Sequence, residues 1–255
     1  MLMLYIPFLL PVSGDRILES LEKTAGGIPV FGSGGITLNA NFSDSHALYG
    51  DSVLTSRVAV AAIYAEEAPF FYTASVGHAA TLRLRETVTA AKGRFLISIG
   101  DKNYKDFMET HHLPCGEREY VPFIFYCADG TVVNRVCFGL TPDGYGAFVG
   151  DVPLNAEMAI CSSMTADNME ETIGELFGEI KAKHSDMSGC LVYSCASRIV
   201  RVGGMGKELE MIRDKLGDTC FSLAYAGGEI FPQTLKDNQL RNLFQNNSLT
   251  ICVFE

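Results

Sequence analysis

The chain has 255 residues, of which 47% are hydrophobic and 20% are charged, a balance typical of a folded globular protein. Its formal net charge of −10 excludes the basic surface that binding to nucleic acid or to anionic lipid requires. The apolar start, residues 1–11, lacks the basic residues of a signal peptide and is too short to span a bilayer. We therefore expect a cytoplasmic protein that neither binds nucleic acid nor inserts into a membrane.

The N-terminal segment predicts a βαβ unit. Residues 1–11 predict a buried strand, residues 15–23 predict a helix with one apolar face, and residues 28–31 predict a second strand. The run Gly32-Ser33-Gly34-Gly35 follows, without the lysine of a P-loop or the spacing of a dinucleotide fingerprint. We therefore predict a tight turn that lines a pocket, and not a nucleotide site.

The middle of the chain predicts antiparallel strands. Strands are predicted at 53–65, with 58–63 the most buried part, and at 70–76, 81–89, 94–99, 123–127, 132–138, 147–149 and 158–161. A short helix is predicted at 104–111, and Ala128-Asp129-Gly130 predicts a hairpin turn.

The C-terminal part predicts a second βαβ unit with one further strand. Helices are predicted at 168–183 and 206–216, and strands at 189–195, 221–226 and 248–254. The fold class is therefore α/β of the mixed α+β kind, with two αβ modules whose mixed parallel and antiparallel sheets pack against helices. We place the first module at 1–92 and the second at 93–255.

Polar residues interrupt the apolar segments near the predicted strand ends of the second module. A right-handed crossover would make strands 189–195 and 221–226 parallel, so that their carboxyl ends share one edge of the sheet, where ligands collect. Arg198, expected at a strand end and outside the core, suits a ligand carboxylate, whereas Glu229 beside Tyr225 suits an ammonium group. Gly228 would let the backbone approach a ligand, and Cys195 and Asn246 complete the predicted ligand-binding set. Together these groups could hold a zwitterion.

Two alternative roles remain open for the same residues. Arg198 and Glu229 could form a structural ion pair, with Cys195 as a packing residue. Alternatively, Cys195 could be the nucleophile of a hydrolase or transferase, although no histidine lies near it in the sequence. The eight cysteines show no disulfide framework or metal-ligand spacing, so we expect free thiols, no metal and no cofactor.

The ordered set of motifs is similar to a known family. Residues 193–198, Glu208, 226–230 and 246–250 resemble the C-terminal half of a FIST domain, named for F-box and intracellular signal transduction. Residues 86–97 resemble the start of that C-terminal module, and residues 28–35 and 52–63 resemble the closing part of the N-terminal module.

The resemblance implies a sensory domain of a signalling protein that binds small molecules such as amino acids and acts on an attached output domain. It also implies that the chain lacks the first part of the N-terminal module and is a segment of a longer protein. Because FIST modules also occur beside F-boxes, a protein-interaction platform is a further alternative.

Overall fold

The computed structural model describes residues 1–7, 12–36, 46–55, 57–75, 82–115, 121–161 and 165–255. These residues form a mixed α+β fold, which confirms the predicted class. The helices are α1 Gly14–Ala25, α2 Tyr104–Thr110, α3 Ala166–Lys183, α4 Ala196–Val202 and α5 Met205–Leu216. The strands are β1 Leu2–Ile6, β2 Val30–Gly34, β3 His46–Tyr49, β4 Ser52–Thr55, β5 Ala59–Ala62, β6 Phe70–Ala74, β7 Leu82–Lys92, β8 Phe95–Ile99, β9 Lys102–Asn103, β10 Val121–Tyr126, β11 Val132–Leu140, β12 Gly146–Phe148, β13 Glu157–Cys161, β14 Gly189–Cys195, β15 Phe221–Ala226, β16 Glu229–Thr234, β17 Leu240–Gln245 and β18 Leu249–Phe254.

Two of the sheets lie face to face, with helices on their outer sides. The first has the strand order β17-β16-β2-β1-β5 and the second has the order β15-β14-β18-β6. The ring centroid of Phe31, on β2, lies 5.9 Å from that of Phe71 and 5.2 Å from that of Tyr193 across the interface. Val30 points to the opposite face, as alternation along a strand requires, and packs with Leu18 of α1. Helices α3 and α5 cover the outer face of the second sheet in the same way.

A third sheet closes on itself beside this sandwich. Its strand order is β12-β11-β10-β13-β7-β8-β9, and β12 also pairs with β8. Its apolar core includes Phe123 and Phe148, whose rings meet edge to face at a centroid distance of 5.0 Å. Helix α2 contributes Phe107 and Met108 to the same core.

All three large sheets combine strands from both sides of residues 92 and 93. In the first sheet β2 pairs with β16, in the second β6 pairs with β18, and in the third β7 pairs with β13. The two sequence segments are therefore interleaved in space.

Several predicted elements are confirmed and one is wrong in its burial. Strands β1 and β2 are parallel on either side of α1, and β10 and β11 form the predicted hairpin. The segment 58–63, predicted as the most buried strand material, contains β5, which pairs with β1 and is the edge strand of the first sheet among the described residues. Val60 is consequently 52% exposed. An edge strand has a neighbour on one side only, which is why its apolar composition does not lead to burial.

The glycine run 32–35 is not the predicted tight turn, because Gly32 and Gly34 belong to β2. A Cβ atom on Gly32 would lie 1.9 Å from the Leu4 carbonyl oxygen of β1, and one on Gly34 would lie 3.0 Å from the Gly227 carbonyl oxygen. Gly34 N donates to Gly228 O, and Gly227 N donates to Gly34 O, both at 2.7 Å. Glycine at these positions therefore lets neighbouring strands approach closely.

Local sequence signals account for the ends of the helices. Ser13 caps α1 by accepting from Arg16 N, and Thr165 caps α3 in a reciprocal pair with Asn168. Helix α5 ends at Gly217, whose φ is +61°. Within the described residues, no helix has both the length and the apolar character needed to cross a membrane.

Candidate functional site

The predicted site lies at one end of the two facing sheets. Strand β14 runs parallel to β15, as predicted, and antiparallel to β18. Cys195 is the last residue of β14, Glu229 is the first residue of β16, and Asn246 lies between β17 and β18. Cys195 N donates to Ser248 O at 2.9 Å, which joins two of these strand ends directly.

Arg198 lies in the first turn of α4 and not at a strand end. Its Nε donates to Glu208 Oε1 at 2.9 Å, and both side chains are fully buried. Ser194 Oγ donates to the other carboxylate oxygen of Glu208 at 2.8 Å. The alternative of an Arg198–Glu229 ion pair is therefore wrong, because the ion-pair partner of Arg198 is on α5. The expectation that Arg198 lies outside the core is also wrong.

Glu229 is held by Ser248 in the space between the sheets. Its Oε2 accepts from Ser248 Oγ at 2.6 Å and from Ser248 N at 3.2 Å. Burial raises the pKa of the Glu229 carboxyl to about 8, although the bonds from Ser248, the nearby Cys195 thiol and the charge of Arg198 act in the opposite direction. Burial therefore favours the protonated form of this carboxyl.

Four buried polar atoms at this end of the sheets have no hydrogen-bond partner within the part of the chain that the structure describes. They are Nη1 and Nη2 of Arg198, Oε1 of Glu229 and Oδ1 of Asn246. All three residues are at most 1% exposed. Leaving such a group unpaired costs about 1–3 kcal/mol, and more for a charged group. The site therefore has unmet capacity both to donate and to accept hydrogen bonds.

Gly228 and Asn246 pack against each other. Gly228 has a φ of +125°, and a Cβ atom at this position would lie 2.3 Å from Phe244 Cζ and 3.0 Å from Asn246 Nδ2. Asn246 Nδ2 donates to Gln245 O at 2.9 Å, which orients the amide and leaves its oxygen unpaired. Glycine at 228 is thus required by the backbone and by two neighbouring side chains.

Cys195 has the environment of a protonated thiol. Burial, with the neighbouring Glu229 carboxyl as the next cause, raises the pKa of Cys195 to about 12. Ser197 Oγ lies 3.2 Å from its Sγ and 3.1 Å from Asn247 Oδ1, within hydrogen-bond distance of both. A thiol with so high a pKa is a weak nucleophile at neutral pH.

Tyr225 lies at the outer side of the cluster and is half-buried. Its hydroxyl donates to Met205 O, at the start of α5, at 3.0 Å. Burial and the nearby Glu208 carboxylate raise the pKa of the Tyr225 phenol, so the group remains neutral. Tyr225 is thus close to the Arg198–Glu208 pair.

Open cavities lie elsewhere in the molecule. A cavity of about 570 Å³ lies beside the N-terminus of α1, and another of about 440 Å³ lies between β6, α3 and β17. Neither is lined by any of the six predicted site residues. Among the described residues, no group of three or more His, Cys, Asp or Glu side chains could hold a metal ion.

Sequence reasoning missed the roles of Glu208 and Ser248. Glu208 shares a helix face with Ile212 and Leu216 at a spacing of four residues, and all three are buried. A carboxylate on an apolar helix face requires a buried partner, so this spacing was a usable signal for the pair with Arg198. Ser248 had no comparable signal, because its role depends on strand β16.

The comparisons with known proteins identify the family. The FIST N domain matches residues 3–102 and the FIST C domain matches residues 95–232, which is more than half of the chain. Searches of the curated proteins and of the solved structures found no match. FIST domains are generally described as sensory domains of signalling proteins. The chain belongs to the FIST family.

Proposed function

We propose that this chain is a sensory domain that binds a small zwitterionic metabolite, in the simplest case an α-amino acid, and transmits its bound state to a signalling output domain. The observation that carries the proposal is the set of four unpaired buried atoms on Arg198, Glu229 and Asn246. Buried polar atoms are nearly always paired in folded proteins, so a cluster of exceptions suggests a missing partner.

A zwitterion would supply the bonds that these atoms lack. Its carboxylate would accept from Nη1 and Nη2 of Arg198, whose orientation is fixed by the bond from Nε to Glu208. Its ammonium group would donate to Glu229 Oε1 and Asn246 Oδ1. Glu229 would then lose its proton, because a neighbouring positive charge favours the carboxylate form.

Ligand entry would require an opening of the site, since the unpaired atoms are enclosed. Helix α4 has seven residues and is joined to α5 by Gly203 and Gly204, whose φ angles are +92° and +121°. A Cβ atom at Gly204 would meet nothing within 4 Å. Movement of α4 about this joint would expose Arg198, and closure over a ligand would couple binding to a change of shape. Such coupling is what a sensor requires.

The proposal is tested by thermal-shift measurements with the twenty common amino acids, each followed by its methyl ester and its N-acetyl derivative. A ligand at 100 times its Kd stabilises a protein by about 2.7 kcal/mol. We expect at least one amino acid to raise Tm and both of its derivatives to fail, because each derivative lacks one charge. Absence of any shift, or equal shifts with the derivatives, would contradict the proposal.

A substitution separates ligand recognition from the structural role of Arg198. Arg198→Lys keeps a cation for Glu208 but removes the guanidinium fork, so we expect the folded protein to lose amino-acid binding. Arg213→Lys, the same change on the exposed side of α5, is the control and should bind as the unaltered protein does. Binding that survives in Arg198→Lys would exclude Arg198 as the carboxylate partner.

A further inference from the structure

We propose that the chain has a second ligand site, which binds a small organic anion with an apolar or aromatic body. This site is separate from the buried cluster formed by Arg198, Glu229 and Asn246. The site is the cavity of about 570 Å³ beside the N-terminus of α1. This volume lies within the range of small-molecule sites, about 300–1,000 Å³. Segments from both family domains form it: the start of α1, the turn from β7 to β8, and the loop between β11 and β12.

Cationic side chains give the cavity its preference for an anion. Arg16, Lys92 and Arg94 line it, together with the two carboxylates of Asp143 and Asp151. Arg16 Nε already donates to Asp151 Oδ2 at 3.0 Å, which neutralises one carboxylate. Lys92 has no ion-pair partner among the residues that the structure describes. The lining therefore carries three cationic and two anionic side chains, and because Arg16 also pairs with Glu19 at 3.4 Å, Lys92 is the cation available to a ligand.

The start of α1 strengthens this preference. Val12 and Ser13, the residues at the N-terminal end of this twelve-residue helix, line the cavity. The N-terminus of a helix carries a partial positive charge from its aligned peptide dipoles. The partial charge of the helix thus has the same sign as that of Lys92, whereas the carboxylate of Asp15 in the first turn is paired with Arg135.

Apolar groups line the rest of the cavity and define the body of the ligand. Val12 is 50% exposed and Phe95 is 37% exposed, and Tyr145 also lines the cavity. Exposed large apolar groups beside charged ones are typical of a binding site for an amphiphilic molecule. A phosphate or carboxylate would contact the cations, and a flat ring would contact Phe95 and Tyr145.

The test measures binding to the full chain by calorimetry, with two anions and their neutral counterparts. The probes are adenosine monophosphate with adenosine, and indole-3-acetate with indole, so that the phosphate and carboxylate arms are distinguished. We expect at least one anion to bind more tightly than its neutral counterpart and to bind less tightly as salt is added. If neither anion is preferred, the proposal is overturned.

A charge-removing variant then locates the site. Lys92→Gln should weaken binding of the preferred anion by about tenfold, because one charge-assisted hydrogen bond is lost. Lys181→Gln, an equivalent change on the exposed surface of α3 and outside the cavity, should leave it unchanged. Equal affinity in Lys92→Gln and the unaltered protein would overturn the assignment. The outcome is independent of the amino-acid screen, because Lys92 does not belong to the buried cluster.

Discussion

Replacement of Glu229 by Gln should change how stability depends on pH. The pKa of Glu229 is raised from 4.5 to about 8 in the folded protein by burial. A raised folded-state pKa gives stability that is complete below the unfolded pKa and is lost as the pH rises through the folded pKa. Between about pH 6 and pH 8 the titration of Glu229 should lower the free energy of unfolding by roughly 2 kcal/mol, since the dependence of that free energy on pH approaches about 1.4 kcal/mol per pH unit.

The glutamine variant keeps an acceptor for both bonds from Ser248 but cannot titrate. Urea denaturation at a series of pH values should therefore show the variant gaining roughly 2 kcal/mol relative to the unaltered protein over this range. For Glu210→Gln, at an exposed position on α5, the difference in unfolding free energy from the unaltered protein should stay constant over this pH range. A constant difference for Glu229→Gln as well would refute the assignment of a raised pKa to this carboxyl.

Three further predictions concern stability and thiol reactivity. Arg198→Ala should destabilise the protein by roughly 3–5 kcal/mol in urea melts, because it leaves Glu208 buried without its cation. The double variant Arg198→Met/Glu208→Leu should recover much of that loss. Equal losses in the single and double variants would contradict this. Gly228→Ala should lower the free energy of unfolding by at least about 1–3 kcal/mol, because of the φ of +125° at this position and the contact with Phe244. Gly206→Ala on α5 should be neutral or stabilising. A stable Gly228→Ala variant would show that Phe244 can move. Alkylation of the native protein, followed by mass spectrometry, should show rapid modification of the exposed Cys220 and slow modification of the buried Cys190, Cys195 and Cys252. After denaturation all eight cysteines should be modified. Rapid modification of Cys195 in the native protein would mean that its site is open.

The sequence was sufficient to predict three strands near the site, β14, β15 and β18, and the parallel direction of the first two. The segment 189–195 is apolar with small polar interruptions, and the helix that follows it requires a parallel partner strand, which is β15. The partner of Arg198 was not predictable from the same information. Both Glu208 and Glu229 follow Arg198 in the chain, and the choice between them depends on α4, which sequence reasoning missed.

The missed elements have physical reasons. Helix α4 contains three β-branched residues in a length of seven, so its composition favours a strand as much as a helix. Strand β16 contains Pro232, which cannot donate to a sheet, so its sequence does not predict a strand. In both cases tertiary packing overrides local preference: β16 is fixed by pairing with β17 and with β2.

The interleaving of strands from the two ends of the sequence governs how the chain can fold during its synthesis. Strand β2 has β16 as one of its neighbours, about 200 residues later in the chain, and β6 likewise pairs with the distant β18. A ribosome adds about 5–20 residues per second, so the edges of β2 and β6 stay without these neighbours for about ten seconds or longer. Open strand edges associate readily with other chains. Expression yield should therefore respond to chaperone supply and to translation speed more strongly than the stability of the finished protein would indicate.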